Sequence, residues 1–228
     1  MNLLSIENLK KSYTAPDGET SPVVDVAAFS MAAGDQVALR GSSGSGKTTF
    51  LNLIAGILKP DSGAIQLAGQ DVTRLGESGR DRLRAQTIGY VFQTFNLLQG
   101  YTALENVLLG MMFGPGRDLA YAESLLERVG LRDRMQYRPR QLSVGQQQRV
   151  AVARALASHP KLVLADEPTG NLDRYHATES LDLIREICGE KDAALLLVSH
   201  DPEILARFEN AQDFAVINRA VAGPAVQP

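Results

Sequence analysis

Gly41-Ser42-Ser43-Gly44-Ser45-Gly46-Lys47-Thr48, continued by Thr49, is the stretch on which the reading of the fold turns. It matches the pattern G-x-x-x-x-G-K-[ST]. The apolar run Val37-Ala38-Leu39 stands just before it and a helical pattern begins at about Lys47. Strand, glycine-rich loop and helix in that order let backbone N–H groups fold around phosphate oxygens. Glycine removes Cβ clashes, and the helix N-terminus adds the positive end of its dipole. In this setting Lys47 reaches the β- and γ-phosphates of a nucleotide, and the Thr48 hydroxyl is a ligand for Mg²⁺. A Gly/Ser-rich linker would share the composition but not the placement. The cradle alone leaves the chemistry open, because kinases, GTPases, helicases and transport ATPases all use it.

Working outward, three further apolar runs are continuous rather than alternating: Ile88-Gly89-Tyr90-Val91-Phe92, Leu162-Val163-Leu164-Ala165 and Leu195-Leu196-Leu197-Val198. Such runs fit central strands covered on both faces, and their alternation with helical patterns predicts an α/β fold with a mostly parallel sheet. Helices are predicted over Phe50–Leu58, over Ser143–Ser158 with Ser143 as N-cap, and over about Ala177–Cys188. The first 35 residues mix short strand-like pieces with the turn Ala15-Pro16-Asp17-Gly18, and read as an antiparallel flap beside the core. Between Phe92 and Leu162 helical patterns dominate (Ala103–Met111, Ala120–Val129), which predicts a helical subdomain inserted at about 94–158. The core then spans about 1–93 and 159–218 of a single domain, with 219–228 as a loose tail.

Composition bounds the class. With 228 residues, 23 Lys+Arg against 26 Asp+Glu and 44% hydrophobic residues, the chain is near the globular average. Its lone cysteine, Cys188, excludes an internal disulfide and fits a reducing compartment. The longest apolar stretch, Ala193–Val198, is far short of the ~20 residues that span a bilayer, and Met1–Glu7 carries no signal-peptide pattern. A cytoplasmic globular chain is therefore expected, and the slightly acidic total argues against general affinity for nucleic acid.

The carboxylates narrow the chemistry. Leu162–Ala165 ends in Asp166-Glu167, and the carboxyl ends of strands in an open α/β sheet face the ligand crevice. Asp166 is then placed for Mg²⁺ through water, and Glu167 for orienting or deprotonating an attacking water. Leu142-Ser143-Val144-Gly145-Gln146-Gln147-Gln148-Arg149 resembles the signature motif of ATP-binding cassette (ABC) ATPases, and Asp166-Glu167-Pro168-Thr169-Gly170-Asn171-Leu172-Asp173 resembles their Walker B and D-loop run. Gln93 matches the Q-loop, His200 the H-loop, and Tyr13 the adenine-stacking aromatic. The resemblance covers essentially the whole chain. Thr169–Asp173 and Phe92-Gln93-Thr94-Phe95-Asn96-Leu97-Leu98 look most like the branch of LolD, MacB and FtsE types, for lipoprotein release, macrolide-type efflux and cell division.

The resemblance implies a P-loop NTPase (RecA-like) core with an N-terminal antiparallel β subdomain and an inserted helical subdomain. It implies a homodimer that closes around two ATP, and a separate transmembrane permease-type subunit holding the chain to the cytoplasmic face of the membrane. ATP and Mg²⁺ are the implied cofactors. Tyr13, the loop Gly41, Ser42, Ser43, Gly44, Ser45, Gly46, Lys47, Thr48 and Thr49, Gln93 and Asp166 bind the nucleotide, and Thr48, Gln93 and Asp166 hold the metal. Glu167, His200, Gln93 and Lys47 serve hydrolysis. Ser143, Val144, Gly145 and Gln146 act on the partner copy's ATP, with Asp173 in the D-loop. Val144 departs from the family, which usually has glycine there. A β-branched residue crowds a close phosphate contact, although helical φ accepts it.

Weaker signals are read modestly. Seven arginines between Arg128 and Arg154 against the single acid Asp133 fit a solvated face or membrane-partner contacts better than nucleic acid, since aromatic interleaving is sparse. Met111-Met112-Phe113 reads equally as a partner groove or as core. Two other classes compete: an FtsE-like module that signals mechanically without transport, which nothing inside the chain separates from a transporter, and a DNA-repair or chromosome-structuring ATPase. The stretch from Thr48 to Leu142 lacks the long coiled coil or zinc modules that the last would need.

Overall fold

A computed structural model describes residues 2–221. The chain opens with strands β1 (Asn2–Thr14), β2 (Thr20–Ala32) and β3 (Gln36–Arg40), then helix α1 (Lys47–Ile54), β4 (Ser62–Leu67), β5 (Gln70–Asp71), α2 (Glu77–Thr87) and β6 (Ile88–Val91). It continues through α3 (Ala103–Leu109), α4 (Leu119–Arg128), α5 (Val144–Leu156), β7 (Leu162–Asp166), α6 (Arg174–Glu190), β8 (Ala194–Ser199), α7 (Pro202–Leu205), β9 (Asn210–Asp213) and α8 (Phe214–Ile217).

Two sheets organise these elements. The parallel one has the order β6-β7-β8-β3-β9, with every pair parallel. β7 and β8 are buried at every residue, as continuous apolar runs dictate when helices cover both faces. All five strands point the same way, so the loops after β3, β6, β7 and β8 emerge at one edge of the sheet and bring Gly41, Gln93, Glu167 and His200 there. The second sheet is antiparallel, in the order β2-β1-β4-β5.

The expected flap of short pieces is in fact two 13-residue strands paired from Asn2↔Ala32 to Thr14↔Thr20. Leu4, Ile6 and Leu9 face the core from β1 and Val24 and Val26 from β2, but Asn8 at φ +48° and the register shift against β4 between Glu7 and Lys10 break the alternation between Ile6 and Leu9. The helix after the loop starts at Lys47, as the pattern there indicates, but stops at Ile54 rather than Leu58, with Gly56 at φ +65° turning the chain away. Helix α2 escapes a reading by periodicity because only Leu83 and Thr87 are buried.

Ser143 caps α5 as the sequence predicts. Its hydroxyl accepts the Gln146 N–H at 3.2 Å, and the Gln146 side chain accepts the Ser143 N–H at 3.0 Å. Helices α3 to α5 share an apolar cluster of their own, including Leu97, Val107, Met111, Leu126 and Val150. The crossing from β6 into that cluster passes through Phe95 and Asn96, both at positive φ. Arg154 of α5 holds the turn by donating to the carbonyls of Phe95 and Asn96, each at 2.6 Å.

In the arginine-rich stretch Arg132, Arg134, Arg138 and Arg140 are exposed, as a solvated face requires, and several of the arginines form ion pairs. Arg128 pairs with Glu186 and Glu190, Arg132 with Glu127, and Arg149 with Glu179. Met111 is buried, whereas Met112 and Phe113 are exposed, so the three-residue run divides between core and surface. Cys188 is buried on α6, and burial pushes its thiol up to about 12, which leaves it as packing. Apart from a single 3-10 turn at Arg219–Val221, the tail 219–228 lies outside the described residues.

Candidate nucleotide-binding and hydrolysis site

The loop after β3 owes its shape to Gly44 at φ +79° and Gly46 at φ +91°, left-handed conformations that side chains with a Cβ resist. At Gly46 a Cβ would also lie 2.5 Å from the Val23 carbonyl oxygen, so the loop is pressed against β2. Within it the Ser45 hydroxyl is buried with no hydrogen-bond partner. Lys47, the first residue of α1, folds back and donates to the carbonyls of Gly41 at 2.6 Å and Ser42 at 2.9 Å.

Opposite the loop, β7 delivers the two acids. The Thr48 hydroxyl donates to Asp166 Oδ1 at 3.2 Å. Burial holds the Asp166 carboxyl above its usual range and the Glu167 charge adds to this, while the Thr48 bond and the Lys47 ammonium oppose it. A charged, partly desolvated carboxylate of this kind favours a cation beside it. Glu167 takes φ +44°, an uncommon conformation for a non-glycine residue that turns its side chain back over the sheet edge. Its Oε1 lies 2.9 Å from His200 Nδ1 and 3.8 Å from Lys47 Nζ, and the Ser199 hydroxyl donates to Oε2 at 3.4 Å. Lys47, Thr48, Asp166, Glu167 and His200 thus converge at one place, from three strand ends.

Other expected residues stand around that centre. Gln93 is exposed just past β6, and its carbonyl accepts from Asn171 Nδ2 at 2.6 Å, which ties the Q-loop position to the turn following the acids. Asp173 caps α6 through the His176 N–H at 3.2 Å and meets His176 Nδ1 at 2.6 Å. Tyr13 is exposed near the end of β1, with the Lys11 ammonium 5.8 Å from its ring centroid. Ser143 to Gln146 form the first turn of α5, beside His176 rather than the loop. Among the described residues no hydrogen bond or ion pair joins them to Lys47 or Asp166.

The residues fit a magnesium nucleotide. The orphaned Ser45 hydroxyl and the free N–H groups of a helix start suit phosphate oxygens. Among the described residues no group of three or more His, Cys, Asp or Glu forms a metal cage. Thr48 Oγ1 and Asp166 Oδ1 instead offer a small oxygen set of the kind that would suit Mg²⁺. Two contacts were not foretold by the sequence: that of Ser199 with Glu167, which depends on how β8 ends beside β7, and the reach of Gln148 from α5 to the turn after the acids. Neither leaves a pattern along the chain.

A parallel sheet with a glycine-rich phosphate loop, a cradle lysine and an acidic pair at the neighbouring strand end defines a P-loop nucleoside triphosphatase. Comparison with known proteins narrows the class: the family profile described as "ABC transporter" matches residues 24–170. The chain belongs to the ABC transporter family and is an ATP-hydrolysing cassette. It is 43% identical over 210 residues to the lipoprotein-releasing system ATP-binding protein LolD of Shewanella oneidensis, covering 91% of both chains. It is 45% identical to the LolD of Anaeromyxobacter dehalogenans, covering 97% of this chain and 94% of that one. Against the macrolide export ATP-binding/permease protein MacB of Rhodopirellula baltica it is 44% identical over 89% of its length, but covers 30% of that protein. Among solved structures, a dimeric ATP-binding cassette in a post-hydrolysis state bound to ADP and Pi superposes with a TM-score of 0.81 at 34% identity, over 88% of this chain and 89% of the other.

Proposed function

We propose that this cassette drives a separate transmembrane permease-type subunit of the lipoprotein-release and macrolide-export class, working as a homodimer on the cytoplasmic face of the membrane. The observation that carries the catalytic part is Glu167, held between His200 and Lys47 at the end of a buried strand. ATP with Mg²⁺ takes the loop Gly41–Thr49, Thr48, Asp166 and Gln93, with adenine on Tyr13. Thr48, Gln93 and Asp166 would hold the Mg²⁺, which would offset the phosphate charge. Glu167 orients a water in line with the γ-phosphorus and takes its proton as the bond to the β-phosphate oxygen breaks, and His200 braces the γ-phosphate. Ser143 and Gly145 of a second copy close over that phosphate with the N-terminus of α5, and Asp173 lies in the loop facing that copy. We assign residues 1–93 and 159–218 to the core and 94–158 to an inserted helical subdomain, as the separate apolar cluster of α3 to α5 supports.

Val144 is the first residue of α5, with an exposed side chain and no positive φ, so it is accommodated without backbone strain. Its isopropyl group stands beside the N–H groups that meet the partner's phosphate. Val144→Gly is therefore expected to leave the steady-state rate of ATP hydrolysis equal or higher. A clear fall in turnover would overturn the reading that valine is merely tolerated there.

For the membrane subunit, an open groove of about 830 Å³ lies between α2, β6, α3 and α5, lined by Arg82, Tyr90, Leu98, Phe113 and Arg154 among others. Leu98 and Phe113 expose 48% and 77% of their surface, apolar area that a short amphipathic helix would cover. The arginines favour an acidic group on that helix. Among the described residues no helix is long and apolar enough to cross a membrane. The test is co-purification from membranes: Phe113→Asp is expected to lower recovery of the permease by about tenfold while keeping the wild-type melting temperature. Unchanged recovery sinks this assignment of the groove.

A further inference from the structure

Gln148 makes a contact that nucleotide binding does not require. It sits one helical turn beyond Val144 on α5 and is fully buried. Its Nε2 donates to the carbonyl oxygen of Pro168 at 2.6 Å, while its Oε1 has no partner. A buried amide satisfied on one side only is a cost that an apolar side chain of similar size would avoid. The half that is satisfied touches the residue directly after Glu167.

Glu167 needs bracing, because a non-glycine residue at φ +44° persists only where its surroundings over-determine it. Its N–H donates to the Val198 carbonyl at 3.0 Å, and its own carbonyl accepts from Gly170 N–H at 3.1 Å. Those two bonds come from β8 and from the turn itself. The contact from Gln148 comes from a different element, the helix whose first turn carries Ser143 to Gly145. At Gly145 that first turn also abuts His176 of α6, where a Cβ would sit 3.4 Å from the imidazole, so α5 is seated against both sides of the turn that follows β7.

We propose that Gln148 is a positioning residue for hydrolysis: its amide fixes the Glu167–Pro168 turn, and so keeps the Glu167 carboxylate against His200 and Lys47. This rests on the reading of Glu167 as the group that orients water. Because the same helix presents the signature turn, seating of α5 and placement of the carboxylate become one variable. A small displacement of a reacting group is enough to cost a large factor in rate.

The test uses Gln148→Leu and Gln148→Met in the full chain, with ATP hydrolysis measured across ATP concentrations. Both substitutions remove the orphaned oxygen but also the donor to the buried Pro168 carbonyl, so the two effects oppose and melting temperature is expected to move by only a few degrees, about what 1 kcal/mol gives. The expected result is a fall in kcat of about tenfold or more, with KM for ATP within about twofold of wild type. A merely structural role would not separate the two constants in this way. Should the leucine variant fail to fold, the longer and more flexible methionine variant decides the question. Wild-type kcat in a folded variant overturns the inference, as does a loss confined to KM. Glu167→Gln in the same assay keeps the two readings apart: if it still hydrolyses ATP, the assignment of Glu167 fails. If it is silent and Gln148→Leu turns over normally, only the role of Gln148 fails.

Discussion

Glu167→Gln is expected to cut steady-state ATP hydrolysis by at least about a hundredfold, the lower end of what a positioned general base contributes, while ATP still binds and holds two copies together. The substitution keeps the shape of the side chain. The amide oxygen it introduces still accepts from the His200 ring, and the φ of +44° is no harder for glutamine than for glutamate. What disappears is the negative charge that faces Lys47 at 3.8 Å and can take a proton from water. Binding depends on the loop, Lys47, Thr48 and Asp166; the change replaces none of them, and losing the Glu167 charge removes one of the influences that raise the Asp166 carboxyl. Size-exclusion chromatography with MgATP should therefore show a dimer that outlasts the wild-type one, beside a phosphate-release assay near background. Hydrolysis at the wild-type rate would show that the proton goes elsewhere.

Most of this centre was legible along the chain because its chemistry is local in sequence. The cradle is nine consecutive residues, and the acids end a run of apolar residues whose burial on both faces follows from composition. The capping of α5 by Ser143 was legible for the same reason, since a serine three residues before a glutamine satisfies two orphan N–H groups reciprocally. What escaped depends on contacts far apart in the chain. Strand β4 leaves the neighbourhood of the loop to pair with β1, Leu4 opposite Leu67, and nothing in Ser62–Leu67 announces which sheet it joins. The long hairpin was obscured by its bulges, and α2 by its lack of an apolar stripe. Within the site, the return of the Lys47 ammonium to Gly41 and Ser42 and the reach of Gln148 to Pro168 follow from packing between elements. Spacing along the chain carries no trace of either.

The return of the Lys47 ammonium sets up the other large effect, Lys47→Met. The lysine side chain is almost wholly buried, with its charge shared between two carbonyls and the Glu167 carboxylate. Methionine fills nearly the same volume with no donor and no charge. Folding loses little: Ser42 is exposed and its carbonyl can turn to water, and a buried ammonium carries a desolvation cost that vanishes with it. Nucleotide binding loses much more, because charge-assisted bonds to phosphate in a partly desolvated site are each worth about 1.5–3 kcal/mol. Two such bonds correspond to a loss of roughly a hundredfold or more in affinity. Asp166 adds to this, since the Lys47 charge is one of the two influences lowering its carboxyl. Without it the carboxyl rises further, so protons compete with Mg²⁺ for it more strongly as pH falls. Thermal melting separates the two effects. Without nucleotide the variant should melt close to wild type, and the rise in melting temperature that MgATP gives the wild type should be absent. Lys47→Arg should not restore it, because a planar guanidinium is too wide for a carbonyl pair that a single ammonium spans. Binding of ATP by Lys47→Met within about threefold of wild type would mean that the backbone N–H groups of the loop, and not the lysine, supply most of the hold on the phosphates.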